Sequence, residues 1–287
     1  MVQKEGTMFG TKLSSLVTLI AAAGMIASAC APQAAPAATQ APVAAATTAP
    51  ATASPAPTAA AVAARPAIYQ GTLQDKDEVS TDELKQILLQ KSAMVLDARP
   101  FKEFAISHIP GAVNVSQKPG VPIATYVSDV AEVGRIAPDK NAALVLYCNG
   151  PFCPKSKALA ESLTGAGYTN VRRYQLGIPT WRALVGYTQA ELDGVRYALD
   201  GDKTTVLFDA RSAEEFKAGA LPGARNLVVA DVNAAKTDGR LPTEDHNTRI
   251  IVVGKDGAQA RALAEEIAKA AFDNVSFYAA GWETINR

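Results

Sequence analysis

Two cysteines, Cys148 and Cys153, lie five positions apart in one short segment of this 287-residue chain. Cys148 directly follows an apolar run at residues 142–147, and Pro154 then introduces a segment with helical character. Parallel α/β sheets hold their ligands beyond the carboxyl ends of the strands, where loop amides and a helix N-terminus favour an anion. The same field increases the thiolate fraction of a cysteine, so the segment predicts that Cys148 is a nucleophile.

The residues after Cys148 are predicted to form a small anion-binding loop. Glycine lets backbone amides approach an anion closely, and Lys155 adds a positive charge seven positions after the cysteine. A cysteine followed by Asn-Gly-Pro at a strand end is poorly suited to core packing. This favours a chemical role for Cys148 over that of a small buried apolar residue. The predicted binding residues are Asn149, Gly150, Pro151, Phe152, Cys153, Lys155 and Ser156.

The elements that would hold this loop alternate between strand and helix. Short apolar runs suit strands buried on both faces, and the segments between them have helical character, the last one ended by Gly165 and Gly167. This alternation indicates a parallel α/β sheet. The predicted strands lie at residues 93–96, 142–147 and 170–174, and the predicted helices at about 81–89, 101–106 and 154–164.

An internal repeat divides the folding part of the chain. Val-Leu-Asp-Ala-Arg at residues 95–99 returns as Leu-Phe-Asp-Ala-Arg at residues 207–211, and further matches follow at the same offset. A repeat of about 110 residues has the size of a domain. We therefore predict two homologous α/β domains at residues 67–186 and 187–287, each a mostly parallel sheet with helices on both faces.

The N-terminus has the pattern of an export signal. Two lysines precede an uninterrupted stretch of apolar and small residues at 13–29, and an Ala-Ser-Ala-Cys sequence ends at Cys30. This end resembles the lipobox of bacterial lipoproteins, which implies lipidation of Cys30; ordinary cleavage after Ala29 is the alternative. We predict a signal at residues 1–30, followed at 31–66 by a disordered Ala/Pro/Thr-rich tether in which 18 of 36 residues are Ala.

Both copies of the repeat resemble the rhodanese (sulfurtransferase) family. After the Asp-Ala-Arg run, the first copy carries Ser-His-Ile-Pro-Gly-Ala at residues 107–112, Leu-Tyr-Cys-Asn-Gly at 146–150, and then Gly177 and Trp181. The resemblance covers residues 73–287 as two tandem modules. It implies that the cysteine accepts a sulfane sulfur as a persulfide and passes it to a thiophilic acceptor, without cofactor or metal.

Cys153 departs from the usual loop with one cysteine. The Cys-Asn-Gly-Pro-Phe-Cys segment is similar to a rhodanese subgroup with two loop cysteines. Cys153 is then either a resolving thiol, which attacks the Cys148 persulfide and releases sulfide, or only the start of the helix. In an oxidising compartment, a Cys148–Cys153 disulfide could also be the resting form. The second copy has Gly254 in place of the nucleophile, which implies an inert module.

Two other chemistries fit the sequence poorly. Phosphatases that share the rhodanese fold need a Cys-x5-Arg loop, and Pro154 stands where that Arg would lie. His108 and His246 do not have zinc-ligand spacing with the cysteines, so no metal is expected. His108 is instead predicted to order its turn through a hydrogen bond, and Asp97 and Arg99 to form a structural ion pair.

The sequence therefore predicts an extracytoplasmic sulfurtransferase, lipid-anchored to the bacterial cell membrane. Its expected partners are a thiosulfate-like sulfur-donor anion, a thiol or cyanide-like acceptor, and the membrane. Lys plus Arg and Asp plus Glu both number 28, so no basic face for nucleic acid is expected. Two alternatives stay open: a non-catalytic rhodanese-type binding module, and a thiol–disulfide redox protein that uses Cys148 and Cys153.

Overall fold

The computed structural model of the chain describes residues 77–122, 125 and 128–285. The predicted signal and tether, with Cys30, lie outside the described residues, as does the start of the first predicted domain. Within the described ranges, none of the helices combines the length and the apolar content needed to cross a membrane.

Strands and helices alternate through the first half of the described chain. The strands pair in the order β2-β1-β3-β4 and all pairs are parallel, so β1 and β3 form the centre of the sheet. The elements are α1 (Thr81–Gln90), β1 (Met94–Asp97), α2 (Phe101–Ile106), β2 (Val113–Asn114), α3 (Asp129–Ile136), β3 (Leu144–Tyr147), α4 (Pro154–Gly165), β4 (Val171–Tyr174) and α5 (Gly177–Val185).

The second half repeats this arrangement with one more edge strand. Its sheet has the order β5-β9-β8-β6-β7, and its pairs are again parallel, which confirms two tandem α/β modules. The elements are β5 (Tyr187–Ala190), α6 (Leu192–Gly201), β6 (Val206–Asp209), α7 (Ala213–Ala218), β7 (Arg225–Asn226), a 3-10 turn (Val229–Asp231), α8 (Val232–Ala235), β8 (Ile250–Val253), α9 (Gly257–Lys269), β9 (Val275–Tyr278) and α10 (Trp282–Ile285).

Alternation along the central strand β3 explains why helices cover both faces of the first sheet. Val145 and Tyr147 pack into one apolar cluster with Trp181 of α5, whereas Leu144 and Leu146 pack into a second cluster with residues of α3 and α4. Successive side chains of a strand point to opposite faces, so an apolar run produces two cores. The prediction of helices on both faces is confirmed.

The observed element boundaries differ from the predicted ones by one or two residues. Strand β3 begins at Leu144 rather than at residue 142, because parallel pairing with β1 starts at the Met94–Leu144 register. Gly165 is the last residue of α4 and does not stop it. Gly167, with φ of 92°, makes the left-handed turn that follows.

The two domains meet through α2, α6 and the start of β5. Ser107 Oγ donates to Thr188 Oγ1 at 2.8 Å, and the backbones of His108 and Gln189 exchange two hydrogen bonds of 2.8 Å. Helix α6 approaches α2 so closely that a Cβ at Gly194 would lie 1.8 Å from the carbonyl oxygen of Ala105. This contact fixes the second domain against the first.

Replacing Gly194 by alanine is expected to destabilise the chain by about 2 kcal/mol, because the two helices must separate to admit the methyl group. The free energy of unfolding in urea measures this effect. Gly201 ends the same helix, and a Cβ there would meet no atom within 4 Å. Gly201→Ala is therefore the matched control, expected to be neutral or stabilising by up to about 1 kcal/mol. Equal destabilisation by both changes would contradict the close approach.

Candidate active site

The loop that contains both cysteines starts at the carboxyl end of the central strand β3. Cys148 directly follows this strand and is 2% exposed, and its carbonyl oxygen accepts a hydrogen bond of 3.1 Å from the N–H of Ile178. The N–H of Cys153 donates to the carbonyl oxygen of Gly150 at 3.0 Å and closes a turn. Cys153 is also the N-cap residue of α4, so the loop lies at the positive end of that helix dipole.

Cys148 and Cys153 are joined by a disulfide bond, with their Cα atoms 6.2 Å apart. The structure thus brings together the predicted nucleophile and the predicted resolving thiol. The separation lies within the usual range for a disulfide, so the loop backbone accommodates the bond in place. The Cys148–Cys153 disulfide that the sequence left open is present here.

Gly177, at the N-terminus of α5, packs directly against the backbone of the cysteine loop. Its φ is 67°, and a Cβ at this position would lie 2.3 Å from Gly150 N and 2.4 Å from the carbonyl oxygen of Cys148. Only glycine combines this left-handed conformation with such close backbone packing. The sequence marked Gly177 as part of the family pattern, but the spacing alone did not assign it this supporting role.

The side chain of Asn149 ties the loop to helix α2. Its Nδ2 donates to Glu103 Oε2 at 2.7 Å, and Glu103 in turn lies 3.9 Å from the guanidinium of Arg99. Asn149 was predicted to bind substrate. Its side chain holds the loop against α2 here.

An open cavity of about 840 Å³, which we call the α4 cavity, lies beside the loop between α4 and β4. Lys157 lines this cavity and the predicted Lys155 does not; the charge of Lys155 lies near Asp129 of α3, where it acts to lower the pKa of that carboxyl against the effect of burial. Of the predicted binding residues, the α4 cavity is lined by Gly150, Pro151, Phe152, Cys153 and Ser156. Lining residues that the sequence did not indicate include Asp77, Glu78, Lys157, Arg173 and Gln175.

A buried charge network fixes the carboxyl end of β1 beside the loop. The Arg99 side chain donates three hydrogen bonds to the carboxylate of Asp97, the shortest at 2.5 Å, and one to the carbonyl oxygen of Ser107. The hydroxyl of Tyr147 donates to the same carboxylate at 2.5 Å. Burial and the neighbouring Asp97 carboxylate raise the pKa of Tyr147 well above its usual value, so the phenol stays protonated. The predicted Asp97–Arg99 ion pair is confirmed as a structural element.

The second domain keeps the Asp–Arg part of this network, with Val253 in the place of Tyr147. Arg211 contacts the carboxylate of Asp209 at 2.7 Å, and Asn226 donates to the carbonyl oxygens of both residues, as Asn114 does in the first domain. The repeat detected in the sequence therefore reflects the same hydrogen bonds. Its corresponding loop starts at Gly254 and carries no cysteine.

The loop of the second domain is filled by its own side chains. Gln259 Oε1 accepts the N–H of Lys255 at 2.8 Å, and Asp256 Oδ1 accepts the N–H of Gln259 at 2.8 Å. A Cβ at Gly254 would lie 2.9 Å from the N atom of Ala260. Two amides of this loop are thus occupied by side chains, and a side chain at position 254 would force the loop to shift.

His108 packs against helix α2 and has a structural role. The ring is fully buried and stacked on Phe104. Its Nδ1–H donates a hydrogen bond of 2.9 Å to the Phe104 carbonyl oxygen. The predicted hydrogen bond in this turn is confirmed. Nε2 has no hydrogen-bond partner among the described residues and lies 3.6 Å from a carboxylate oxygen of Glu191 in the second domain. Burial lowers the pKa of His108 to about 3, so the imidazole is neutral.

This buried histidine predicts a pH-dependent stability. Its pKa is about 3 in the folded chain against 6.5 for the ordinary group, so the unfolded chain binds more protons between these values. The contribution of His108 to the free energy of unfolding is fully present above the unfolded pKa. As the pH is lowered below that value, it decreases by up to about 1.4 kcal/mol per pH unit. Urea unfolding of the wild type from about pH 7 to about pH 5 measures this slope.

The two histidines of the chain provide the control for that measurement. His108→Asn is expected to reduce the slope, whereas His246→Asn, at an exposed position of the second domain, is expected to keep it. A slope that survives in His108→Asn would show that other groups cause it.

Sequence comparison agrees with this architecture. Residues 80–184 and 194–287 match the family described as Rhodanese-like domain. An adenylyltransferase and sulfurtransferase of Candida albicans is 30% identical over 113 residues, which are 38% of this chain and 24% of that protein. An HTH-type transcriptional regulator of Mycobacterium tuberculosis is 29% identical over 107 residues, 37% of this chain and 42% of that protein.

The chain spans less than half of the length of either of these two relatives. Among solved structures, the thiosulfate sulfurtransferase of Pseudomonas aeruginosa is 23% identical with a TM-score of 0.30, and the match covers 77% of this chain and 46% of that one. The two family matches together cover more than half of the sequence. The chain therefore belongs to the rhodanese-like domain family, with two such domains in tandem.

Proposed function

We propose that this chain is a sulfurtransferase in which Cys148 carries a sulfane sulfur as a persulfide. The observation that carries the proposal is the bond between Cys148 and a second sulfur atom, that of Cys153, at the carboxyl end of β3. The loop thus accommodates a sulfur atom bonded to Cys148 Sγ, which is also what a persulfide requires. Membership of a family that includes sulfurtransferases supports the same activity.

Sulfur transfer needs only the reduced loop. The Cys148 thiolate attacks the outer sulfur of thiosulfate, the S–S bond of thiosulfate breaks, and sulfite leaves with the electron pair. The resulting persulfide anion lies near the N-terminus of α4, where the helix dipole favours negative charge. A thiol or cyanide then attacks the outer sulfur of the persulfide, and the Cys148 thiolate is released, so neither cofactor nor metal takes part.

The disulfide favours a second use of the same loop. The Cys153 thiolate can attack Cys148 Sγ of the persulfide, so that hydrosulfide leaves and the Cys148–Cys153 disulfide forms. Two electrons from an external thiol pair must then reopen the loop. Without a sulfur donor, the same pair would act as a thiol–disulfide redox couple, which is the second candidate function.

The proposal places the protein outside the cytoplasm. Loop disulfides persist in oxidising compartments, and the sequence begins with an export-signal pattern that ends at Cys30. A lipid on Cys30 would anchor the chain to the bacterial cell membrane, and the segment at 31–66 would act as the tether. Mass spectrometry of the mature chain tests this part, because lipidation leaves a diacyl-modified Cys30 as its first residue.

The test of the function is the intact mass of the full chain after reduction, desalting and exposure to thiosulfate. The expected result is a gain of one sulfur atom on the peptide that contains Cys148, which cyanide removes as thiocyanate. A loss of two hydrogen atoms with release of hydrosulfide would indicate that Cys153 resolves the persulfide, whereas the same loss without hydrosulfide would favour the redox couple. An unchanged mass would contradict thiosulfate as the donor and favour a non-catalytic binding module.

A further inference from the structure

The two cysteines of the loop disulfide differ in their exposure to solvent. Cys148 is 2% exposed and does not line the α4 cavity. Cys153 is only half-buried and lines that cavity directly. A nucleophile that arrives from solvent through the α4 cavity therefore meets the sulfur of Cys153 before that of Cys148.

The residues next to Cys153 leave this approach open. Phe152 is 99% exposed, so its ring extends into solvent and does not cover the disulfide. Pro151 is also exposed, and both residues lie at the centre of the turn that the hydrogen bond from Cys153 to Gly150 closes. The turn thus exposes the disulfide on the side of Cys153, while β3 and the first residues of α5 enclose Cys148.

The position of Cys153 also suits the charge of the reaction. Thiol–disulfide exchange distributes one negative charge over three sulfur atoms in a line. Cys153 is the N-cap of the 12-residue helix α4, and its own side chain makes no capping hydrogen bond. The positive end of the helix dipole therefore lies beside the line of three sulfur atoms, in which the attacking and the leaving sulfur carry most of the charge.

From access and charge together, we propose that Cys153 is the entry site at which an external thiol reduces the loop. The incoming thiolate attacks Cys153 Sγ, the Cys148–Cys153 bond breaks, and the electron pair leaves on Cys148 Sγ. The product is a mixed disulfide between the external thiol and Cys153, beside a free Cys148 thiolate. A second external thiolate then attacks the mixed disulfide, which gives an external disulfide and the Cys153 thiolate.

This order of events has a consequence that rests on the proposed sulfur transfer. The first exchange frees Cys148 while Cys153 is still bonded to the thiol partner, so Cys148 is available for a sulfur donor from that moment. Reduction at Cys153 then controls whether Cys148 is free to react. The partner expected to enter the α4 cavity is a thiol.

Site-resolved trapping in the full oxidised chain tests the entry site. The chain is mixed with glutathione as the probe, quenched in acid, and its free thiols are blocked with a maleimide. Cleavage by chymotrypsin after Tyr147 and Phe152 separates the two cysteines into different peptides. We expect glutathione on Cys153 and maleimide on Cys148, in at least about tenfold excess over the reverse pattern. Equal amounts, or the reverse pattern, would overturn the proposal.

Variants with one loop cysteine keep the test decisive if the mixed disulfide is too short-lived to collect. Cys148→Ser and Cys153→Ser each retain one loop thiol and form a stable mixed disulfide with oxidised glutathione. Because exchange is reversible, the variant that keeps Cys153 is expected to react at least about tenfold faster than the one that keeps Cys148. In urea, where the fold no longer shields Cys148, the two rates are expected to agree within about twofold. Equal rates in the folded variants would contradict the entry site.

The failure of this inference can be told apart from the failure of the proposed function. Thiosulfate loading of the reduced Cys153→Ser chain reports on the Cys148 persulfide alone. Loading without a preference for Cys153 in the trapping experiment would reject only the entry site. A preference for Cys153 without loading would reject only sulfur transfer from thiosulfate.

Discussion

Replacing Cys148 by serine is expected to lower the rate of thiocyanate formation from thiosulfate and cyanide by at least about a thousandfold. A serine hydroxyl cannot form the persulfide, and the second domain, which has Gly254 at the corresponding position, supplies no equivalent cysteine. The measurement is the steady-state rate with the reduced chain. A rate within a few fold of the wild type would contradict Cys148 as the sulfur carrier.

Cys153→Ser is the matched control, since it changes the other sulfur of the same disulfide. This variant is expected to form thiocyanate without prior reduction, because Cys148 can no longer be bonded to Cys153. The wild type is expected to need a reductant first. If both variants lose activity to the same extent, the two cysteines act together and the redox couple is favoured. If neither loses activity, the loop is not the site of the reaction.

The overall fold could be predicted because the pattern that encodes it appears twice. Buried parallel strands read as short apolar runs, and the repeated Asp-x-Arg at their ends makes the same side-chain contacts in both domains. Asn114 and Asn226 recur because each donates to the same two carbonyl oxygens, those of the Asp and the Arg at the strand end. Repetition thus identified residues needed for the fold, not those needed for chemistry.

Contacts that depend on helix phase were harder to predict. Lys155 and Lys157 are two positions apart in α4, which turns their side chains about 200° from each other around the helix. Lys157 lines the α4 cavity, whereas the charge of Lys155 acts on Asp129. The sequence places both lysines near the loop, but it does not fix which face of α4 turns toward β4.

Contacts between the two domains could not be predicted from either copy alone. The approach of Glu191 to His108, at 3.6 Å, depends on how the start of α6 lies on α2. The single-residue contact at Gly194 sets that geometry, and the first copy of the repeat has no equivalent partner from which to infer it. The α4 cavity could not be predicted for a different reason: Asp77 and Glu78, which also line it, come from a segment far from the cysteines in sequence.

The loop of the second domain differs from that of the first by more than the loss of a cysteine. The side chains of Gln259 and Asp256 accept hydrogen bonds from two loop amides. The Gly254 carbonyl oxygen accepts a hydrogen bond of 2.9 Å from the N–H of Trp282. The backbone frame of the first domain is therefore kept, while its interior is filled. Restoring activity there would require a wider loop as well as a nucleophile, which explains why one domain can retain the fold without the site.

Gly177→Ala is expected to destabilise the chain by about 4 kcal/mol and to lower sulfur loading in the chains that stay folded. The methyl group would lie 2.3 Å from Gly150 N and 2.4 Å from the Cys148 carbonyl oxygen, and backbone atoms on both sides leave it no room. Overpacking of this kind costs about 1–3 kcal/mol, and the positive φ adds about 1–2 kcal/mol. Urea unfolding and the initial rate of thiosulfate loading measure the two effects.

Gly111→Ala separates the two causes. Gly111 also has a positive φ, of 81°, but a Cβ there would meet no atom within 4 Å. This variant is expected to lose only about 1–2 kcal/mol of stability and to keep its rate of loading. Displacing the carbonyl of Cys148 by even 1 Å would lower loading by about a hundredfold, because reactivity depends steeply on the position of the nucleophile. Equal losses in both variants would mean that Gly177 serves only its backbone conformation; a larger loss at Gly177 would show that α5 holds the cysteine loop in its reactive geometry.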